Sequence, residues 1–182
     1  MIIIDDFLSE ENFAKVLDIA KQTRKTPEIP GCDHREEFDH VNFDQSHFWY
    51  IQGVDKIVCQ ELVDRGYFDP MLMKQIQMMV RYHITKAPYA SIWHRDRVAD
   101  WDGDEVDFIG LTLFLNEWDT NNGGLYIYKE DKNSDTGHFV APKPNRFIFN
   151  PKDYYHGVTQ IRVPDVERHS FQMFISSRFC KV

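Results

Sequence analysis

His94-Arg95-Asp96, followed sixty residues later by His156 and then by Arg168, is the group of side chains in this sequence best suited to chemistry. Two imidazoles and one carboxylate make a mixed nitrogen and oxygen donor set. Such a set holds one face of an iron(II) ion and leaves the opposite face open, whereas a closed sulfur-rich set would suit structural zinc. An arginine beyond the second histidine offers a planar fork for the far carboxylate of a dicarboxylic co-substrate. The chain has eight histidines, so its secondary structure must decide which of them converge.

Residues two apart on a strand point to the same side. The spacing predicts a short strand over 90–96 on which Ile92, His94 and Asp96 share a face and Arg95 turns away. His94 and Asp96 would then stand about 7 Å apart along the backbone. The third donor has to come from a neighbouring strand. His156 fits best, because it opens His156-Gly157-Val158 directly after the turn-like Asn150-Pro151-Lys152-Asp153. Two rivals fit less well: His138 sits in the turn-like Asp135-Thr136-Gly137-His138, and His169 lies on the opposite face of its strand from Arg168. Arg168, Ser170 and Gln172 share one side of that last strand. An arginine turned into a small barrel is costly unless it meets an anion, and the Ser170 hydroxyl would add a second donor. The alternative partner is a protein carboxylate, such as Glu167 or one from an acidic loop. Arg162 is the rival arginine, but it lies in a turn-like stretch beside Pro164.

The elements that must position these groups follow from the apolar pattern. Ser9 is a candidate N-cap with Glu10 and Glu11 behind it, and Phe13, Val16, Leu17 and Ala20 form one helical face. Residues 26–47 contain Pro27, Pro30 and Gly31 with little periodicity and read as a long loop. Val54, Ile57, Val58 and Leu62 mark a second amphipathic helix that stops near Gly66. From residue 74 the period changes to two. Ile76, Met78, Val80, Tyr82 and Ile84 alternate with Gln77, Met79, Arg81 and His83, a strand with one face buried, and Ile109, Leu111, Leu113 and Leu115 alternate again up to Asn116. Further strands are expected at 125–128, 146–149, 156–161 and 168–176. Six to eight strands joined by short polar connections predict an antiparallel sandwich or barrel of jelly-roll type. A single domain is expected over 1–182, with 1–73 a helical support region and 74–177 the jelly-roll core.

Composition removes several classes. The chain has 182 residues, 42% of them hydrophobic and 14% aromatic, enough to bury a core. A formal net charge of −8 argues against a general affinity for nucleic acid or anionic membranes. No apolar run approaches the roughly 18 residues of a membrane span. The opening Met1-Ile2-Ile3-Ile4-Asp5-Asp6 lacks the features of a signal peptide, and the scattered Cys32, Cys59 and Cys180 read as free thiols. A soluble cytoplasmic protein is expected, and the sequence assigns no oligomeric state.

Several ordered stretches resemble the 2-oxoglutarate- and iron(II)-dependent dioxygenases, in their prolyl 4-hydroxylase-like branch. They are Val80-Arg81-Tyr82, Trp93-His94-Arg95-Asp96, Leu111-Thr112-Leu113-Phe114-Leu115-Asn116, Gly123-Gly124-Leu125, Tyr155-His156-Gly157-Val158 and Arg168-His169-Ser170. The N-terminal Ile4-Asp5-Asp6-Phe7-Leu8-Ser9 is similar to the lead-in of such enzymes. The resemblance implies a mainly β fold, a double-stranded β-helix (jelly-roll, cupin-like) core with N-terminal helices packed on one sheet. It also implies iron ligation by His94, Asp96 and His156, and co-substrate binding by Arg168 with Ser170 and Tyr82. Tyr82 corresponds to a strand tyrosine that bonds the co-substrate in such enzymes, although on its own it reads equally as a core aromatic. The spacing from His156 to Arg168 is slightly longer than usual for the family.

The implied cofactors are iron(II), 2-oxoglutarate and dioxygen, with ascorbate a candidate reductant. The implied reaction hydroxylates a C–H bond while 2-oxoglutarate is decarboxylated to succinate and carbon dioxide. Related halogenases carry a small residue in place of the carboxylate, so Asp96 favours hydroxylation. A peptidyl prolyl residue is the leading substrate; the alternatives are a free amino acid or small metabolite, and a non-catalytic jelly-roll binding module. His94-Arg95-Asp96 also matches part of a kinase catalytic loop, but Trp101 stands where that motif needs asparagine. The segment Asp100-Trp101-Asp102-Gly103-Asp104-Glu105 misplaces the glycine of a calcium loop and lacks its final glutamate, so it reads as a solvated acidic loop. The loops at 26–47 and 97–107 would wall a substrate groove, for which Trp49, Tyr50, Trp101 and Trp118 are candidate linings, though any one of them fits core packing better.

Overall fold

A computed structural model of the chain describes residues 1–25, 46–72, 78–96, 98–99, 105–106, 108–152 and 154–176. In chain order the elements are β1 (Ile2–Ile4), α1 (Glu10–Thr23), β2 (Ser46–Tyr50), α2 (Val54–Asp64), β3 (Met78–Lys86), β4 (Ser91–His94), β5 (Val98–Ala99) and β6 (Glu105–Val106). They continue with β7 (Phe108–Phe114), β8 (Tyr126–Lys129), β9 (His138–Val140), β10 (Phe147–Phe149), β11 (Tyr155–Val158) and β12 (Glu167–Ser176). The strands form a six-stranded sheet in the order β1-β10-β7-β12-β3-β2 and a four-stranded sheet in the order β4-β11-β8-β9. β5 and β6 make a separate hairpin pair. Every pairing is antiparallel. The two larger sheets make the expected jelly roll.

The large sheet is covered on one face by both helices. Val16 and Ala20 of α1 and Val54, Val58 and Leu62 of α2 join Val80, Tyr82, Ile84, Leu111, Leu113, Phe171, Met173 and Ile175 in one core. The residues that alternate with these on β3, β7 and β12 face the second sheet instead. There Phe114 and Ile148 meet Tyr126 and Val140, closing one end of the space between the sheets. Both faces of the large sheet are therefore covered, and the polar half of each alternation points into the barrel.

Local signals explain the helices. Ser9 Oγ accepts from the Asn12 amide at 3.2 Å, capping α1 as its sequence predicts. α2 ends through Gly66, at φ +80°, with Gly66 N donating to Val63 O and Tyr67 N to Leu62 O. That pair of reversed bonds closes the last carbonyls and suits a residue without a side chain. No helix among the described residues is long and apolar enough to cross a membrane.

Several expectations need correction. The N-terminal region is more than a helical support, because β1 and β2 are strands of the large sheet itself. β1 is short and β2 lies where the reading gave a loop ending at 47, so neither offered a long alternation. The stretch 135–138 read as a turn, but His138 opens the edge strand β9, His138–Val140. The strand expected over 90–96 stops at His94. The expected start at Ile76, the body of the 26–47 loop, most of the acidic segment, Cys32 and Cys180 lie outside the described residues. Cys59 is a buried free thiol.

The N-terminal segment is tied to the barrel by Asn145, whose amide bonds both the N–H and the C=O of Leu8, at 2.9 and 2.8 Å. Phe7 stacks on Phe147 with ring centroids 4.0 Å apart. Phe147 is fully buried. Phe147→Ala is expected to lower unfolding free energy by about 3–5 kcal/mol through lost transfer energy and a cavity. Ile3→Ala, at a side chain 41% exposed, should cost under about 1 kcal/mol in the same urea titration.

Candidate metal and co-substrate site

His94 and His156 are brought together by strand pairing. β4 and β11 are antiparallel, and His156 stands opposite His94 in the register. The ring centroids are 4.4 Å apart. Each imidazole is oriented by a contact on its Nδ1. His156 Nδ1 lies 3.0 Å from Tyr154 O; a carbonyl only accepts, so Nδ1 carries a proton there and Nε2 is turned toward Asp96. Asn150 fixes that carbonyl, its Nδ2 donating to Tyr154 O at 3.0 Å while its Oδ1 accepts from Tyr154 N at 2.9 Å. Tyr126 stacks on the His156 ring at 5.5 Å. His94 Nδ1 has Ser91 Oγ 3.3 Å away.

The two Nε2 atoms face one carboxylate. Asp96 Oδ2 is 3.4 Å from His156 Nε2, and Oδ1 is 3.9 Å from His94 Nε2. One ligand atom from each of the three residues lies within 4.8 Å of the others, a separation suited to a shared ion. Burial alone would raise the Asp96 pKa. The charge of His156, its hydrogen bond and the charges of His94 and Arg81 outweigh that effect and hold the carboxyl below its ordinary value. The group is thus an anionic donor at neutral pH. Nitrogen and oxygen donors gathered this closely fit a hard or borderline divalent metal.

Arg168 lies on β12 opposite Thr85 of β3, on the barrel side of the sheet. The same side carries Gly110 of β7, against which the Asp96 carboxylate rests. The triad and the guanidinium therefore open into one interior. Arg168 is 2% exposed. Its Nε donates to Thr85 Oγ1 at 3.2 Å and its NH1 to Gly124 O at 2.8 Å. Among the described residues no carboxylate pairs with it. Burial depresses its pKa to about 10, with Tyr89 the opposing influence. Glu167, the protein carboxylate considered as a partner, instead pairs with Arg24 at 2.8 Å and contacts His169. Ser170 is buried on the same side as Arg168, opposite His83 and Phe114.

Tyr82 goes elsewhere. Its place on β3 turns it to the helix face, where it lies beside Trp49 and Phe171 and its hydroxyl donates to His169 Nδ1 at 2.7 Å. With Leu17, Lys21 and Arg24 it lines a cavity of about 260 Å³ between α1 and the sheet. The structure does not bring it to the triad. The barrel-facing residues of β3 are Arg81, His83 and Thr85, which alternate with it. The sequence showed this alternation, but only the half that includes Tyr82 was singled out as buried. His138 stacks on Tyr128 away from the triad, and Arg162 is exposed. Trp49 is core, the Trp118 indole bonds Gly123 O at 2.8 Å, and Tyr50 remains 40% exposed.

The model of the 2OG-Fe(II) oxygenase superfamily matches residues 78–176. No curated protein matches the sequence. Among solved structures, a prolyl-4-hydroxylase of Pseudomonas putida is 16% identical with a TM-score of 0.66, covering 96% of this chain and 91% of that one. A prolyl hydroxylase of Trichoplax adhaerens, in complex with a hypoxia inducible factor oxygen degradation domain peptide fragment, is 12% identical with a TM-score of 0.67 and coverages of 97% and 83%. The collagen prolyl hydroxylase of Paramecium Bursaria Chlorella virus-1, in a 2-oxoglutarate complex, is 15% identical with a TM-score of 0.60 and coverages of 96% and 94%. At such identities these likenesses establish the fold.

His83 gives this interior a pH signature. Burial first, then the charges of Arg168, Arg81 and His47, pull its pKa from 6.5 down to about 3. The unfolded chain takes up that proton near pH 6.5 while the folded chain refuses it, so stability should fall as pH drops from 6.5 toward 3. His83→Gln is expected to flatten that fall in urea midpoints measured at pH 7, 6 and 5. An unchanged slope would contradict the assignment.

Proposed function

The chain belongs to the 2OG-Fe(II) oxygenase superfamily, and from that premise we propose that it hydroxylates a C–H bond of a peptidyl prolyl residue as a single oxygenase domain spanning 1–182. The family uses iron(II) and 2-oxoglutarate. His94, Asp96 and His156 are the residues that would hold the metal, and their donor chemistry fits it. Arg168 would take the distal carboxylate of 2-oxoglutarate, with Ser170 as a second donor. When bound, the metal and co-substrate supply dioxygen activation coupled to decarboxylation of 2-oxoglutarate to succinate.

One observation carries the reading: a buried guanidinium with no carboxylate among the described residues shares an interior with a His, Asp and His cluster. An unmatched buried cation is expensive, by several kcal/mol in effective terms. A dicarboxylate that reaches from the metal to the arginine would satisfy it. Thr85 and Gly124 hold the fork in place beforehand, and neutral His83 adds no competing charge. Asp96 remains ionised and so offers the metal an anionic donor. Support for the prolyl substrate comes from the fold shared with the prolyl hydroxylases, one of them bound to a peptide.

Anaerobic addition of iron(II) and 2-oxoglutarate should give a visible charge-transfer band that His94→Ala and His156→Ala abolish. Absence of the band in the unaltered protein would sink the assignment. Arg168→Ala should raise the half-saturating 2-oxoglutarate concentration ~30-fold or more, the equivalent of about 2 kcal/mol, and Arg168→Lys should not restore it. Succinate release scored over prolyl peptides and free amino acids tests the substrate, and turnover confined to free amino acids would replace the peptide reading with the small-molecule one.

A further inference from the structure

Gly110 lies within β7 between Ile109 and Leu111, both buried in the helix-side core. Its backbone is not among the positive-φ positions, so no left-handed conformation demands a glycine. Glycine inside a strand costs roughly 0.5–1 kcal/mol relative to alanine, and its presence there often marks a place where another group approaches closely. Here the close group is the Asp96 carboxylate. A methyl group built on Gly110 would overlap Asp96 Oδ2 and stand 3.1 Å from Cγ.

Asp96 needs such a seat more than its two companions do. His94 and His156 are fixed by paired strands, and each has a partner on Nδ1. Asp96 lies two residues past the end of β4, where that ladder no longer sets its direction. We propose that Gly110 is the positioning residue for Asp96, its missing side chain forming the recess that receives the carboxylate and turns its two oxygens toward His94 and His156. The inference rests on the reading of these three residues as the metal ligands. A functional constellation tolerates displacements of only about 0.5 Å. A Cβ does not approach an oxygen within 3.0 Å, so a side chain at 110 would drive the carboxylate out of its seat.

The test uses the full chain and Mn(II) alone as probe, with free aquo-Mn(II) followed by electron paramagnetic resonance. Thermal unfolding of the metal-free proteins runs alongside. The unaltered protein should bind Mn(II), and Gly110→Ala should weaken binding ~10-fold or more, the scale of a lost orienting contact. In the metal-free state Gly110→Ala should lower the unfolding temperature, and adding Asp96→Ala to the same chain should restore it by removing the overlapping oxygen. That rescue also reads out a Gly110→Ala chain too unstable to titrate. Equal Mn(II) affinity in Gly110→Ala and the unaltered protein would overturn the inference alone. So would a stability loss that Asp96→Ala leaves unrepaired, since strand packing would then be what needs the glycine. Failure of the unaltered protein to bind Mn(II) would overturn the ligand reading and this inference with it.

Discussion

Burial of both faces of the six-stranded sheet is the constraint on which the remaining structure depends. Strand alternation divides β3, β7 and β12 into two sets of side chains. One set is apolar and meets α1 and α2; the other includes Arg81, His83, Thr85, Gly110, Thr112, Arg168 and Ser170 and meets the smaller sheet. A one-residue slip of any of these strands would exchange the sets, placing a guanidinium among phenylalanines. The helix-side core therefore does more than stabilise. It locks the register that presents the polar set to the interior.

Three different devices then assemble the candidate ligands. Strand pairing places His94 opposite His156, and a carbonyl held by Asn150 fixes the His156 tautomer. Asp96 lies beyond the ladder and is placed by packing against β7. The division follows from geometry. Side chains two apart on a regular strand run side by side about 7 Å apart, wider than the 4.8 Å within which the three ligand atoms gather, and Asp96 closes that gap from beyond the strand. The end of β4 at His94 is thus part of the site's construction.

Much of this was legible in the sequence where a signal was local and long. The Ser9 cap, the apolar face of α1 and the alternations of β3, β7 and β12 needed only periodicity. His94 and His156 were legible because a turn before His156 and their ordered spacing agreed, whereas the strand parity that singled out Asp96 does not hold past the end of β4 at His94. Other features depend on tertiary neighbours. β1, β2 and β9 are short or lie at sheet edges, where pairing partners rather than propensity decide the conformation. Tyr82 shows the limit of matching motifs: the adjacent aromatic looked like the co-substrate contact, yet its parity with Val80 and Ile84 binds it to the helix face. The same parity, followed one residue on, leads to His83. Thr85 and Gly124 were silent because a hydroxyl and a backbone carbonyl carry no mark of the cation they will hold.

The interior is also electrically unlike the exterior. The chain carries a formal net charge of −8, yet Arg168 is fully enclosed and Arg81 acts on both Asp96 and His83. Solvation of the outside does nothing for a cation sealed within, so the folded protein bears that desolvation cost in its resting form. The cost is tolerable because the apolar core on the far side of the sheet is large. It is useful because a site already desolvated and already oriented surrenders less on binding an anion than one that must close around it. On this argument the helix-side core and the arginine belong to one design: burial on one face supplies the stability that lets the other hold a charge with no carboxylate against it among the described residues, as the proposed co-substrate site requires.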